Sequence, residues 1–235
     1  MLHRAPTFII YFGDSGDAIN KEKDCFPHEN RAQTHQKFYP FIQNLALKDI
    51  ALLHQVHGID GHRVEKSMPA FTKEGDYLIT EKKHLGLGIL TADCLPIVFY
   101  DHAKHIAAIA HAGWRGSVAG IAQKTIDAMV NVFKTNVTDL EIFFGPSAKP
   151  CCYNIDKKFY NAFPLFAYKD KVFIKNDNQY FFDVPQLNTL QLISAGINCS
   201  QINQTYNKCT ICNLEFSSFR REKGILRQIN IITLL

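Results

Sequence analysis

The chain has 235 residues, 46% hydrophobic and 20% charged, with a formal net charge of +4. This is ordinary globular composition, long enough to bury a core without disulfides. It excludes a basic nucleic-acid footprint, since no block of Lys and Arg stands out, and no stretch approaches the roughly eighteen apolar residues of a membrane span.

The seven Cys are an odd number, read as reduced thiols or ligands rather than a disulfide framework. The apolar run before Gly13 is too short for a secretory leader, so a cytoplasmic protein is expected. TFIIYFG (7–13) predicts a strand, followed by a polar loop to about residue 30. The spacing of Phe38, Phe41, Ile42 and Leu45 predicts a helix over 29–46, which Pro40 should disturb. IALLHQVHG (50–58) reads as a strand stopped by Gly. Short strands follow at 76–80, 85–90, 95–101 and 105–113.

Residues 117–133 carry one apolar stripe (Val118, Ile121, Ala122, Ile126, Met129, Val130, Phe133), which predicts a helix with Ser117 as its N-cap. LEIFFGPS (140–147) predicts a strand. Helices are expected at 156–167 and at 185–196, the second entered through Pro185 and closed by Gly196. KVFIK, YFFDV and RQINIITLL complete the strands. The expected fold is α+β: one domain over 1–235, with mixed β-sheets flanked by helices.

The chemistry concentrates in TADCLPIVFYDHAKHIAAIAHAGWRG (91–116), which holds the only Trp, one Cys and three of the ten His. DHAKH reads as a short turn, so the flanking strands form a hairpin. That pairing puts the start of the first strand, Cys94, beside the end of the second, His111. Thiolate and imidazole are the donors that zinc and copper prefer. His57, at the end of another apolar run and next to a Gly, is a third donor. Three protein ligands leave a fourth tetrahedral position open, the pattern of a catalytic zinc. Each residue alone also has a bland reading as a packed thiol or a hydrogen-bonded imidazole, and the gaps match no short metal motif.

The segments HQVHG, GDYLIT, TADCLPIV, HAGWRGSVAGI, GPSAKPCCYN, KCTIC and FSSFRR occur in this order. Together they resemble the laccase-domain family, also called polyphenol oxidase-like proteins and described as purine nucleoside phosphorylases. The resemblance runs from about Phe12 to the C-terminus. It implies a zinc site at His57, Cys94 and His111 and phosphorolysis of adenosine and inosine to free base and ribose 1-phosphate. Adenosine deamination and methylthioadenosine cleavage are implied as side activities. The chain departs from the family pattern at His54, Lys149 and Asn154, which bears on substrate preference and not on the metal triad.

Asp76 and Asp93 are the candidate general acid or base, each equally readable as a turn-forming Asp. Arg115, before a helix start, is the candidate anion site for phosphate; Arg220 and Arg221 form a second basic pair. CTIC (209–212) has metal-clip spacing, and Cys151 and Cys152 would complete four thiolates. A single C-x-x-C lacks the second spaced pair of a zinc ribbon, so packing thiols are expected there. The expected partners are a purine nucleoside and phosphate, and the expected cofactor is zinc, with copper as the second metal.

Three other classes stay open. A copper phenol oxidase needs a His₂Cys set with a weak axial ligand, and the chain lacks the paired H-x-H segments of a trinuclear cluster. A cysteine hydrolase would use Cys94 as nucleophile and His111 as base. A non-enzymatic interaction protein would use zinc only to hold the fold.

Overall fold

A computed structural model describes residues 1–25, 31–164 and 166–235. Among these, the strands in chain order are β1 (Leu2–Arg4), β2 (Phe8–Phe12), β3 (Ile19–Asn20), β4 (Asp49–Leu52), β5 (Gly61–Arg63), β6 (Tyr77–Thr80), β7 (Leu85–Thr91) and β8 (Leu95–Asp101). They continue with β9 (Ile106–Ala112), β10 (Leu140–Phe144), β11 (Asn154–Ile155), β12 (Phe173–Asn176), β13 (Gln179–Phe182), β14 (Ile202–Asn203) and β15 (Leu226–Leu234). The helices are α1 (Lys21–Asp24), α2 (Arg31–Asn44), α3 (Trp114–Ala119), α4 (Ile121–Phe133), α5 (Lys157–Ala162), α6 (Phe166–Val172), α7 (Val184–Ser194) and α8 (Phe219–Glu222).

The fold is α+β and layered. One sheet runs β1-β2-β15-β7-β4, with β3 also pairing β15; a second runs β14-β10-β8-β9-β6-β5; a small third runs β11-β13-β12. The two large sheets pack face to face. Phe8, Ile10 and Phe12 of β2, Leu87 and Ile89 of β7 and Ile232 of β15 meet Leu78 of β6, Val98 and Tyr100 of β8, Ile109 of β9 and Phe143 of β10. The outer face of the second sheet is covered by Ile126 and Met129 of α4 and Leu187 and Leu192 of α7. The outer face of the first is covered by Phe38 of α2 together with Leu45 and Phe71.

Each large sheet is thus buried on both faces, so its central strands read as continuous apolar runs rather than alternating ones. Every residue of β7, β8 and β9 is buried. The predicted hairpin is formed: β8 and β9 pair antiparallel, with Pro96 opposite His111 and Leu95 opposite Ala112. Asp101 holds its turn by accepting the backbone N–H groups of Ala103 and Lys104 at 3.0 and 2.9 Å.

Several boundaries differ from those the sequence predicts. The helix at 117–133 is two helices broken at Gly120, which takes a left-handed φ of 88°. The first starts at Trp114 behind Gly113, so Ser117 is not its cap. Ser117 is buried inside α3, where its hydroxyl accepts from Asn188 Nδ2 at 2.9 Å. The run at 50–58 is a strand only to Leu52, and His57 lies in the following loop. The helix at 29–46 spans Arg31–Asn44 with Pro40 inside it, and positions 29 and 30 lie outside the described residues. The helix at 156–167 is two, α5 and α6, with Pro164 between them and residue 165 outside the described set. No helix among the described residues is long and apolar enough to cross a membrane.

Candidate metal centre

Two crossings between the large sheets build the site. The chain leaves β7 of the first sheet through Ala92, Asp93 and Cys94 and enters β8 of the second. It also leaves β4 through the loop bearing His57 and enters β5 of the second sheet. His111, near the end of β9, sits between these crossings. The three donor atoms of His57, Cys94 and His111 all lie within 4.8 Å of one another, and the two imidazoles meet edge to face with centroids 4.7 Å apart. Around a tetrahedral zinc, bonds of about 2.1 Å to nitrogen and 2.3 Å to sulfur put donors roughly 3.4–3.7 Å apart. One thiolate and two imidazoles gathered at this range fit a borderline-soft metal with one position left open.

Asp76, fully buried, organises two of the three donors. One carboxylate oxygen accepts His111 Nδ1–H at 2.8 Å and the His57 N–H at 3.0 Å; the other accepts the N–H groups of Gly58 at 2.6 Å and Val56 at 3.3 Å. An ionised carboxylate only accepts, so His111 carries a proton on Nδ1, which leaves Nε2 as the nitrogen a metal would take in place of a proton. The same bonds hold the His57 loop, where His57 sits at a left-handed φ of 61°. Burial pushes the Asp76 carboxyl up, but His111 and the loop N–H groups outweigh it and hold the group below its ordinary value. Burial likewise pushes the Cys94 thiol up, yet the neighbouring His111 and His57 bring it down to about 6. Burial lowers His111, but Cys94 and Asp76 raise it to about 9. The site is built to keep Cys94 as a thiolate, the form that binds metals.

Asp93 adopts a left-handed φ of 85° immediately before Cys94. Its carboxylate accepts Thr210 Oγ1–H and the Arg220 N–H, both at 2.7 Å, and its carbonyl accepts the Ala148 N–H at 2.8 Å. Arg115 lies in the first turn of α3, exposed, with its guanidinium over the Trp114 ring at 4.4 Å. The structure therefore brings Asp76 into contact with the donors, places Asp93 behind Cys94, and sets Arg115 apart from the cleft that opens onto the donors.

That cleft has a volume of about 510 Å³, and His57, Cys94 and His111 form its floor. Its walls include Lys21, Gln55, Phe71, Phe219 and Arg227. Burial lowers Arg227, opposed by the negative potential of Cys94, Asp93 and Cys25; an Arg keeps its charge there. Gln55 pins the cleft edge, donating to the Leu90 carbonyl at 2.9 Å and accepting the Leu90 N–H at 2.8 Å. The sequence does not point to Lys21, Phe71 or Arg227. They come from a one-turn helix, a loop and a strand that only tertiary pairing assembles.

A family model described as multi-copper polyphenol oxidoreductase laccase matches residues 24–235. The chain belongs to that laccase family. A purine nucleoside phosphorylase of Clostridium acetobutylicum is 32% identical over 219 residues, covering 92% of this laccase-family chain and 86% of its own length. Purine nucleoside phosphorylase YfiH of Escherichia coli is 29% identical over 223 residues, covering 93% and 87%. The solved structure of YfiH from Bacillus licheniformis superposes with a TM-score of 0.83 at 25% identity, covering 100% of this chain and 99% of that one. Despite the family's description, the groups able to hold a metal among the described residues are one His₂Cys set and one set of four Cys.

Gly113 links His111 to α3, and a Cβ there would stand 2.9 Å from His57 Cδ2 and 3.1 Å from Cys94 Sγ. Gly113→Ala is expected to push the donors apart and weaken metal binding about tenfold or more, with far-UV circular dichroism unchanged. A chelator competition titration reads it; unchanged affinity would mean the donors tolerate the displacement.

Proposed function

We propose that the chain is a purine nucleoside phosphorylase working at a single His57–Cys94–His111 metal centre, with zinc as its metal and adenosine and inosine as substrates. The observation that carries this reading is the three-donor floor of the cleft, held by Asp76, in a chain whose relatives are described as purine nucleoside phosphorylases. A bound metal supplies Lewis acidity at the open position. His57, Cys94 and His111 hold it, and Asp76 keeps the two imidazoles aimed by fixing the His111 tautomer and the His57 loop. Asp93 is a positioning residue that sets the backbone of Cys94. Phe71 and Phe219 offer apolar faces to the base.

In phosphorolysis an oxygen of phosphate bonds to C1′, the C1′–N9 bond breaks with its electron pair going to the base, and the base takes up a proton. Lys21 and Arg227 are the cations in the cleft wall, and holding phosphate there turns a bimolecular attack into a positioned one. Adenosine deamination and methylthioadenosine cleavage would use the same cleft. Adenosine with phosphate is expected to give adenine and ribose 1-phosphate. Base released at an equal rate without phosphate would mean hydrolysis instead.

Arg227 and Arg115 are separable as phosphate anchors. A charge-assisted bond to an anion contributes about 1.5–3 kcal/mol, or roughly ten- to a hundred-fold. Arg227→Ala is expected to raise the phosphate KM by that factor with metal content unchanged, and Arg115→Ala to leave it near the parent. The opposite ranking returns the anion site to the helix start at Arg115.

One observation favours a second reading. The Cys94 thiol, His111 and Asp76 form a connected row like that of a cysteine hydrolase. Alkylation of metal-loaded protein separates the two: a working nucleophile reacts, and a metal ligand is protected. Copper also takes a His₂Cys set, and metal analysis of protein purified without added metal decides between it and zinc.

A further inference from the structure

The four thiols that the sequence reads as packing residues are gathered at one point. Cys151, Cys152, Cys209 and Cys212 all lie within 4.8 Å of one another, and the Cys151 and Cys212 sulfurs are 4.0 Å apart across 61 residues of sequence. Packing does not account for this, since Cys151 and Cys212 are exposed and Cys152 is half-buried. Around a tetrahedral zinc with bonds of about 2.3 Å, sulfurs stand about 3.8 Å apart, which is close to the spacing found. A disulfide needs about 2.05 Å.

The two loops are also tied together through their backbones. Ser147 and Cys209 form a parallel bridge, with Ser147 N–H donating to the Lys208 carbonyl and Thr210 N–H to the Ser147 carbonyl, both at 3.0 Å. Arg221 binds the outward carbonyls of Thr210, Ile211 and Phe216 at 2.7, 3.0 and 2.6 Å.

We propose that Cys151, Cys152, Cys209 and Cys212 hold a second metal ion, a structural zinc with four thiolate ligands and no open position. It clips the loop around residues 145–153 to the loop around 207–213. Both loops grip Asp93, through the Ala148 N–H and the Thr210 hydroxyl, so the clip braces the backbone that presents Cys94. It stands independently of the reading of the His57–Cys94–His111 centre.

Metal content measured by plasma mass spectrometry on protein purified under reducing conditions without chelator tests this. The parent is expected to carry two zinc per chain. Cys94→Ala, which leaves the clip intact, is expected to keep one and to give an intense thiolate-to-metal charge-transfer band when titrated with Co²⁺. The double variant Cys151→Ser/Cys212→Ser is expected to lose one equivalent and keep the other. The proposal is overturned if Cys94→Ala binds no zinc and shows no such band, or if the four thiols are found as disulfides in protein kept under reducing conditions. The parent and Cys94→Ala carry the test even where the double variant does not fold.

Discussion

Cys94→Ala is expected to lose the metal at the cleft floor and, with it, nucleoside phosphorolysis, by about three orders of magnitude or more. That is about 4 kcal/mol of transition-state stabilisation. The thiolate is the only anionic donor of the three, and two neutral imidazoles make a weak site for a divalent ion. The fold should survive. Cys94 is half-buried in a crossing between sheets, and the core that holds β8 and β9 lies on either side of it in Leu95, Ile97 and Ala110. Circular dichroism and thermal unfolding should therefore stay near the parent while metal content at this centre falls to zero. A variant that unfolds would make Cys94 part of the packing and would weaken the enzyme reading. A variant that keeps both metal and activity would remove Cys94 from the centre.

Asp76→Asn is the second large effect, and it acts through the groups that hold and orient the donors. The carboxylate accepts from Val56, His57, Gly58 and His111. An amide has only one acceptor oxygen. With that oxygen on His111, its NH₂ faces the Gly58 N–H, which sits 2.6 Å from the present oxygen. With the amide flipped, its NH₂ faces His111 Nδ1 and moves the imidazole proton to Nε2, the nitrogen that faces the candidate centre. Either arrangement leaves donors opposed in a buried place, at about 1–3 kcal/mol each. The expected result is a ten- to hundredfold loss of metal affinity together with a lower Tm. Asp76→Glu should not rescue it, since the longer side chain has no room at a fully buried position. Competition against a chelator and differential scanning calorimetry on the same samples read both quantities. Affinity left at the parent value would show that Asp76 serves the fold alone.

The candidate metal donors are legible in the sequence because two signals meet. The DHAKH turn fixed a hairpin, and a hairpin dictates that Cys94 and His111 are neighbours. His57 entered from a Gly-stopped run and from the HQVHG motif. Its conformation was not legible: the residue sits at positive φ in a loop that Asp76 holds, not at the end of a strand. Asp76 looked like a turn residue because a single Asp before a strand usually is one; only the fold shows four donors converging on it. The helix expected at 117–133 differs from the two observed for a physical reason. The start at Gly113 offers no side-chain cap, and Ser117 resembles a cap while serving as a buried partner of Asn188. The apolar strands were easy to find because both sheets are covered on both faces. Their partners were not: β15 joins β2 and β7 across most of the chain, and no local pattern encodes that pairing. The cleft walls and the meeting of four thiols depend on the same long-range pairings.

Phosphorolysis at the proposed His57–Cys94–His111 centre requires the metal. The most direct test is to strip the protein of metal, add zinc stepwise, and follow phosphate-dependent release of base from adenosine. Negligible turnover is expected in the stripped protein, with recovery as zinc is restored and no recovery in Cys94→Ala at any zinc concentration. Full turnover by stripped protein, or zinc-dependent recovery in Cys94→Ala equal to the parent, would contradict it.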